Sequence, residues 1–217
     1  MIKYSCKTDR RADEMEKLLI GTTNSSKKEW FRRLLQGHGV EFLTLEELGV
    51  TEEPEETGRT PAENAALKAE FYGKYWDTAV CYDSGLYLDC LPLEDPRQPG
   101  LRIRRPGDHR LDDEEMIAYY AALSRSFGGR VLCYYLNGAA VYRRGRVYAF
   151  QEDRAEARSR GFYLVDQPSR QRHPGWPLDS LSRTLSGEYF SECPPEEDGS
   201  ELDRQLLAFF RKALGLP

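Results

Sequence analysis

Residues Glu55 to Leu91 read EETGRTPAENAALKAEFYGKYWDTAVCYDSGLYLDCL, and this order predicts one capped helix followed by two strands. Thr60 can cap a helix, Pro61 suits its first turn, and Glu63 can reach back to Thr60. The spacing predicts a helix from Pro61, with Ala62, Ala65, Ala66, Ala69, Tyr72 and Trp76 on a buried stripe. Asn64 and Lys68, one turn apart, fall on a different face. Ala79 to Tyr82 reads as a short buried strand, Asp83-Ser84-Gly85 as the turn that ends it, and Leu86 to Leu91 as a second strand. Asp83 is therefore expected at a strand end.

Taken singly, each polar residue here has a structural reading. Asp-Ser-Gly between apolar runs is most often a turn, because Asp bonds its own backbone and Gly accepts positive φ. Glu55, Glu56 and Lys68 alone read as solvated surface. Taken together, two acidic points flanking a helix that carries an amide and an ammonium suit a hard divalent cation bound with a polyphosphate, since Mg²⁺ takes few carboxylates and leaves positions for phosphate oxygens.

The rest of the chain narrows the field. At 217 residues it can bury roughly 70% of the surface its unfolded form would expose, so a sizeable core is available. A net charge of −5 argues against a reader of nucleic-acid backbone and leaves a small anionic ligand to local positive charge. Cys6, Cys81, Cys90, Cys133 and Cys193 have neither disulfide nor zinc spacing, which fits a reducing cytoplasm. Met1 to Glu16 is polar and unpatterned, and no apolar run approaches the ~20 residues needed to span a bilayer.

In order, Lys17 to Thr22 reads as a strand, Thr23 to Ser26 as a polar loop, and Lys27 to Gln36 as a helix burying Trp30, Phe31, Leu34 and Leu35. Such a loop aims backbone N–H groups at an anion, and Lys27 adds a full charge. Alternatively, Asn24, Ser25 and Ser26 simply cap the helix. Val40 to Thr44 is the next strand, and Pro92 to Arg110 an arginine-rich loop. Asp112 to Ser124 has the signature of a capped scaffold helix, Val131 to Tyr142 with Val147 to Gln151 that of a hairpin, Phe162 to Val165 that of a strand, and Asp203 to Leu214 that of an amphipathic helix.

The string E-E-T-G-x-T-x-x-E-N-A-x-x-K-A from Glu55, with Asp83-Ser84-Gly85-Leu86 beyond it, resembles the inosine triphosphate pyrophosphatase family. Thr22-Thr23-Asn24-Ser25-Ser26-Lys27 resembles the family's T-x-N-x-x-K phosphate loop, and Pro99-Gly100 with Arg105 its P-G-x-x-x-x-R turn. The resemblance implies an α/β fold, a long mixed β-sheet flanked by helices in two lobes around a cleft, spanning the chain as a single unit. It implies Mg²⁺-dependent hydrolysis of noncanonical purine nucleoside triphosphates to monophosphate and pyrophosphate, in a homodimer. In that reading Glu56 and Asp83 hold the metal, and Asp83, Lys27 and Lys68 are catalytic. Thr22, Thr23, Asn24, Lys27, Asn64, Ser84, Arg105, Trp176 and Arg204 bind substrate, with Trp176 either stacking on the base or serving as a packing anchor of its Pro/Gly loop. The chain departs from the family pattern in three places. Tyr82 replaces the first of two adjacent aspartates; Gly175-Trp176-Pro177-Leu178-Asp179 only approximates G-x-G-Y-D-P; no Ser-His-Arg follows, although Arg204 after Asp203 stands near where that arginine would be. A weakly catalytic nucleotide binder and a protein that keeps only the fold are the alternatives.

Overall fold

The eleven residues Thr78–Leu88 form one uninterrupted strand, and the molecule is built on it. The computed structural model describes residues 15–193 and 200–216. In chain order the elements are β1 (Glu16–Ile20), α1 (Ser25–Leu34), β2 (Val40–Thr44), α2 (Pro61–Tyr72), β3 (Thr78–Leu88), α3 (Asp113–Ser126), β4 (Arg130–Arg143), β5 (Arg146–Gln151), α4 (Arg154–Ser159), β6 (Phe162–Val165), β7 (Ser182–Arg183) and α5 (Glu201–Leu214). Of the polar extension expected over Met1 to Glu16, residues 1–14 lie outside the described residues and Glu16 opens β1.

The turn expected at Asp83-Ser84-Gly85 does not form. In β4, Gly138, Asn137 and Leu136 stand opposite these three residues, and the antiparallel ladder runs unbroken from Thr78 to Leu88. Satisfying every backbone donor and acceptor of a buried segment outweighs the local turn tendency of Asp and Gly. Asp83 thus lies in mid-strand, and the second strand expected to Leu91 ends at Leu88.

The seven strands form one mixed sheet, ordered β2-β1-β3-β4-β6-β7, with β5 also paired to β4. β1 is parallel to β2 and β3, and the remaining pairs are antiparallel. On its far edge β4 carries β6 along Arg130 to Cys133 and β5 along Gly138 to Arg143. The β4–β5 hairpin turns through Arg144 (φ 50°) and Gly145 (φ 79°), the pair of positive φ values that a two-residue hairpin demands.

Strand alternation divides the core. One face carries Leu18, Ile20, Val80, Ala139 and Val141 under α1 and α5, and, farther along, Leu86, Leu88, Val131 and Cys133 under α3. Between these clusters the same face presents Tyr82, Ser84 and Asn137, so a polar strip separates the two lobes. The opposite face buries Leu19, Ala79, Cys81 and Ala140 against Ala65, Ala69 and Tyr72 of α2. The starts of α2 and α3 are those the sequence predicts, whereas α1 opens at Ser25 rather than Lys27, α5 opens at Glu201 rather than Asp203, and α4 was not expected. Thr60 Oγ1 accepts from Glu63 N at 3.2 Å, and Asp112 and Glu115 form a reciprocal capping box. α2 stops at Tyr72, however, and Trp76 lies in the following loop, where its Nε1 donates to Lys17 O at 2.9 Å.

Candidate active site

The site occupies a stretch of β3 with one open edge. β1 pairs with β3 only at Ala79 and Val80, Gly21 N adds a bond to Val80 O, and the next contact along that edge is the bridge between Leu86 and Gly100. Helices on opposite faces, α1 and α2, direct a lysine each to this gap. Lys68 Nζ lies 3.3 Å from Asp83 Oδ1 and 2.6 Å from a Glu56 oxygen, while Lys27 Nζ approaches Asp83 Oδ1 at 4.0 Å. The second oxygen, Asp83 Oδ2, is buried and has no hydrogen-bond partner among the described residues. Burial alone would lower the Lys68 pKa, but Asp83 and Glu56 together hold it above the ordinary lysine value. Lys27 is shifted the other way, chiefly by burial, and the charge on Lys68 adds to this shift while Asp83 opposes it. Lys27 also lies 5.2 Å from the centre of the Tyr82 ring, so the aromatic residue that replaces an aspartate contributes a cation–π contact.

The other predicted residues separate into those that build the site and those that lie apart. Asn24 Oδ1 accepts from Ser26 N at 2.8 Å and Lys27 N at 3.2 Å, so this oxygen caps α1. Thr22 Oγ1 accepts from Asn24 N, and Thr23 beside it is exposed. Asn64 is buried and accepts from Gly58 N at 2.8 Å, which ties the loop after Glu56 to α2. Gly58 must be glycine for this approach, since a Cβ would sit 2.6 Å from Asn64 Oδ1 and 2.8 Å from Asn64 N. Ser84 belongs to the face opposite Asp83, on the strip between the lobes.

Among the arginines, position decides. Arg105, with a side chain 57% exposed, pairs with Glu53 at 3.8 Å, as Arg110 does at 3.6 Å. Its neighbour Arg104 is turned inward. It donates to Asp113 Oδ1 at 2.9 Å and Gly175 O at 3.3 Å, and its charge is felt at Lys27. Sequence reading passed over Arg104 because five arginines in one loop offer no periodicity that tells them apart. The Gly175-Trp176 segment joins the lobes. Gly175 N donates to Asp113 Oδ2 at 3.0 Å, and Ser26 Oγ donates to Pro174 O at 2.7 Å. Gly175 holds φ at +81°, and a Cβ there would stand 2.4 Å from Ser26 Oγ. Trp176 remains 39% exposed beside it. Arg204 pairs with Glu201 at 2.8 Å at the start of α5, one residue beyond Asp203, which accepts from Trp30 Nε1 at 2.9 Å. The floor of the strip carries a network absent from the expectations: Tyr82 Oη donates to Asn137 Oδ1, Asn137 N and Nδ2 donate to buried Glu152, and Glu152 pairs with Arg160.

No cluster of three or more His, Cys, Asp or Glu side chains capable of holding a metal occurs among the described residues. Two carboxylates, Asp83 with an unpartnered buried oxygen and Glu56 with a side chain 47% exposed, nevertheless fit Mg²⁺, which is commonly bound through one or two carboxylates plus substrate phosphates. Cys81, Cys90, Cys133 and Cys193 are free thiols, and no described helix is long and apolar enough to cross a membrane.

Known proteins agree with this architecture. The Staphylococcus aureus Ham1 protein superposes with a TM-score of 0.67 at 20% identity, over 91% of this chain and 100% of that one. A HAM1 protein from Coxiella burnetii gives 0.69 at 21% identity, with the same coverage of both chains. These establish the fold. In sequence the chain is 38% identical over 104 residues to a dITP/XTP pyrophosphatase of Bacillus subtilis, 48% of this chain and 50% of that one. It is 41% identical over 78 residues to the Listeria monocytogenes protein of that name, 36% of this chain and 38% of its relative. The chain thus spans about half or less of the length of the curated relatives it matches. The model of the Ham1 family matches residues 18–198, the stretch that holds both lysines, Glu56, Asp83 and the segment joining the lobes, and the chain belongs to that family.

Proposed function

We propose that this chain hydrolyses noncanonical purine nucleoside triphosphates between the α and β phosphates, giving monophosphate and pyrophosphate, with Mg²⁺ as cofactor. The observation that carries the reading is the convergence of Lys27 and Lys68 from opposite faces on one oxygen of Asp83 whose other oxygen is buried and unused. The names of the relatives, dITP/XTP pyrophosphatases, support the substrate class. Glu56 and Asp83 would hold the cation, which when bound supplies positive charge to the triphosphate. Lys27 and Lys68 bind phosphate oxygens and offset the charge that develops on the departing pyrophosphate. Asp83 accepts the proton of the attacking water. The family resemblance also supports a cytoplasmic homodimer that needs neither nucleic acid nor membrane.

The direct test is pyrophosphate release from dITP, XTP, dATP and dGTP with Mg²⁺. Release from dITP or XTP, abolished by EDTA, is the expected result; a chain that releases none from any of the four refutes the reading. Lys27→Met and Lys68→Met separate phosphate handling from base recognition. Each should lose about 10²-fold in kcat/KM on every base alike. Affinity for the triphosphate should fall far more than affinity for the monophosphate. Equal losses for both nucleotides would move the lysines away from the phosphate tail.

A further inference from the structure

On the face that carries Asp83, the next inward positions of β3 are Gly85 and Tyr87, with Leu136 and Tyr134 opposite them on β4. Tyr87 is 8% exposed, and its ring stacks on Tyr134 with centroids 5.6 Å apart and planes at 20°. The two hydroxyls differ. Tyr134 Oη accepts from Arg154 Nε at 2.9 Å, whereas Tyr87 Oη has no hydrogen-bond partner among the described residues. Unlike Asp83 Oδ2, it is not fully enclosed. Gly85 lets the Tyr87 ring fold back along the strand, since a Cβ there would stand 2.8 Å from Tyr87 Cε2 and 3.1 Å from Tyr87 Oη. The hydroxyl therefore lies against Gly85, whose row is about 7 Å from that of Asp83 along the strand. Burial is the main cause that raises the Tyr87 pKa; the Tyr134 phenol and the Asp83 carboxylate add to it and Arg154 opposes it, so the O–H stays intact as a donor.

The Tyr87 side chain is mostly buried, but its hydroxyl, without a partner among the described residues, is not fully enclosed and stays open to an acceptor that a ligand brings. The chemistry around it selects that acceptor. Lys27 and Lys68 draw an anion to Asp83, and Arg154 adds positive charge behind Tyr134. One face of the Tyr87 ring is occupied by Tyr134, which disfavours base stacking there. We propose that the Tyr87 hydroxyl is a further substrate-binding group of this site, donating to a non-bridging oxygen of the triphosphate tail. The inference rests on the reading of the site as one for nucleoside triphosphates.

Tyr87→Phe tests it, because the variant keeps the ring and its stacking and removes a hydroxyl that bonds to nothing among the described residues. The melting temperature should not change, while kcat/KM should fall about 10- to 100-fold, the size of one hydrogen bond to a charged acceptor. Affinity for inorganic pyrophosphate with Mg²⁺ should fall alike, and affinity for a nucleoside monophosphate should stay the same. An active wild type matched by an equally active variant overturns this proposal and leaves the proposed function standing. A wild type that hydrolyses nothing and is not stabilised by pyrophosphate overturns both. If the wild type binds pyrophosphate without turnover, weaker binding by the variant supports the proposal and equal binding overturns it. A fall in melting temperature would mean that the hydroxyl is bonded within the fold, and would overturn it as well.

Discussion

Asp83→Asn should abolish nucleotide hydrolysis while leaving the fold in place. The amide is isosteric, and its oxygen can still accept from Lys68, 3.3 Å away, which also keeps Glu56 at 2.6 Å. The backbone of residue 83 stays in the ladder opposite Gly138. What disappears is the negative charge on which both lysines converge and the buried oxygen that no group among the described residues uses. Loss of a general base costs about 10² to 10⁴ in rate, and loss of a carboxylate for the cation adds to that. The check is pyrophosphate release together with a thermal melt. A variant with normal turnover would make Asp83 structural, and a variant that unfolds would place its carboxylate in the stability of the strand.

Gly138→Ala should damage stability and activity together. A Cβ at this position would stand 2.2 Å from Ala62 N, 2.4 Å from Pro61 C and 2.6 Å from Ala62 Cα. All three are backbone atoms in the first turn of α2, so no flexible side chain can yield, and the helix itself must move. Overpacking of this kind costs about 1 to 3 kcal/mol, or roughly 2 to 12 °C in melting temperature for a chain of this size. The displaced helix carries Lys68 and Asn64, and Gly138 faces Asp83 across the ladder. A shift of about 1 Å at such a site can cost 10²-fold in rate, so kcat/KM should fall by about that factor even below the new melting temperature. Unchanged melting and turnover would show that α2 does not depend on this close approach.

How far the sequence reached can be traced through single residues. Thr60, Pro61 and Glu63 start α2, and Asp112 with Glu115 starts α3, because a cap is completed by side chains three residues apart and by nothing distant. The hairpin at Arg144-Gly145 and the strand Val40–Thr44 were legible for the same reason: their patterns are local. The motifs named the family, and with it the sheet and Lys27, Lys68, Glu56 and Asp83 as residues of one site. The tertiary structure decided against the turn at Asp83-Ser84-Gly85, because the hydrogen bonds that keep β3 straight come from Gly138, Asn137 and Leu136, more than fifty residues away in sequence. It also decided which of two adjacent arginines faces inward, since Asp113 and Gly175 select Arg104 while Glu53 takes Arg105. Glu152, buried under Asn137 and paired with Arg160, had no sequence signal, because a lone glutamate reveals its burial only when its partners arrive from other strands and helices. Tyr87 read as one more strand aromatic. Its alternating position in β3 was set by the chain alone, but the missing partner of its hydroxyl, and its place beside Gly85 and Asp83, exist only once β3 and β4 have paired.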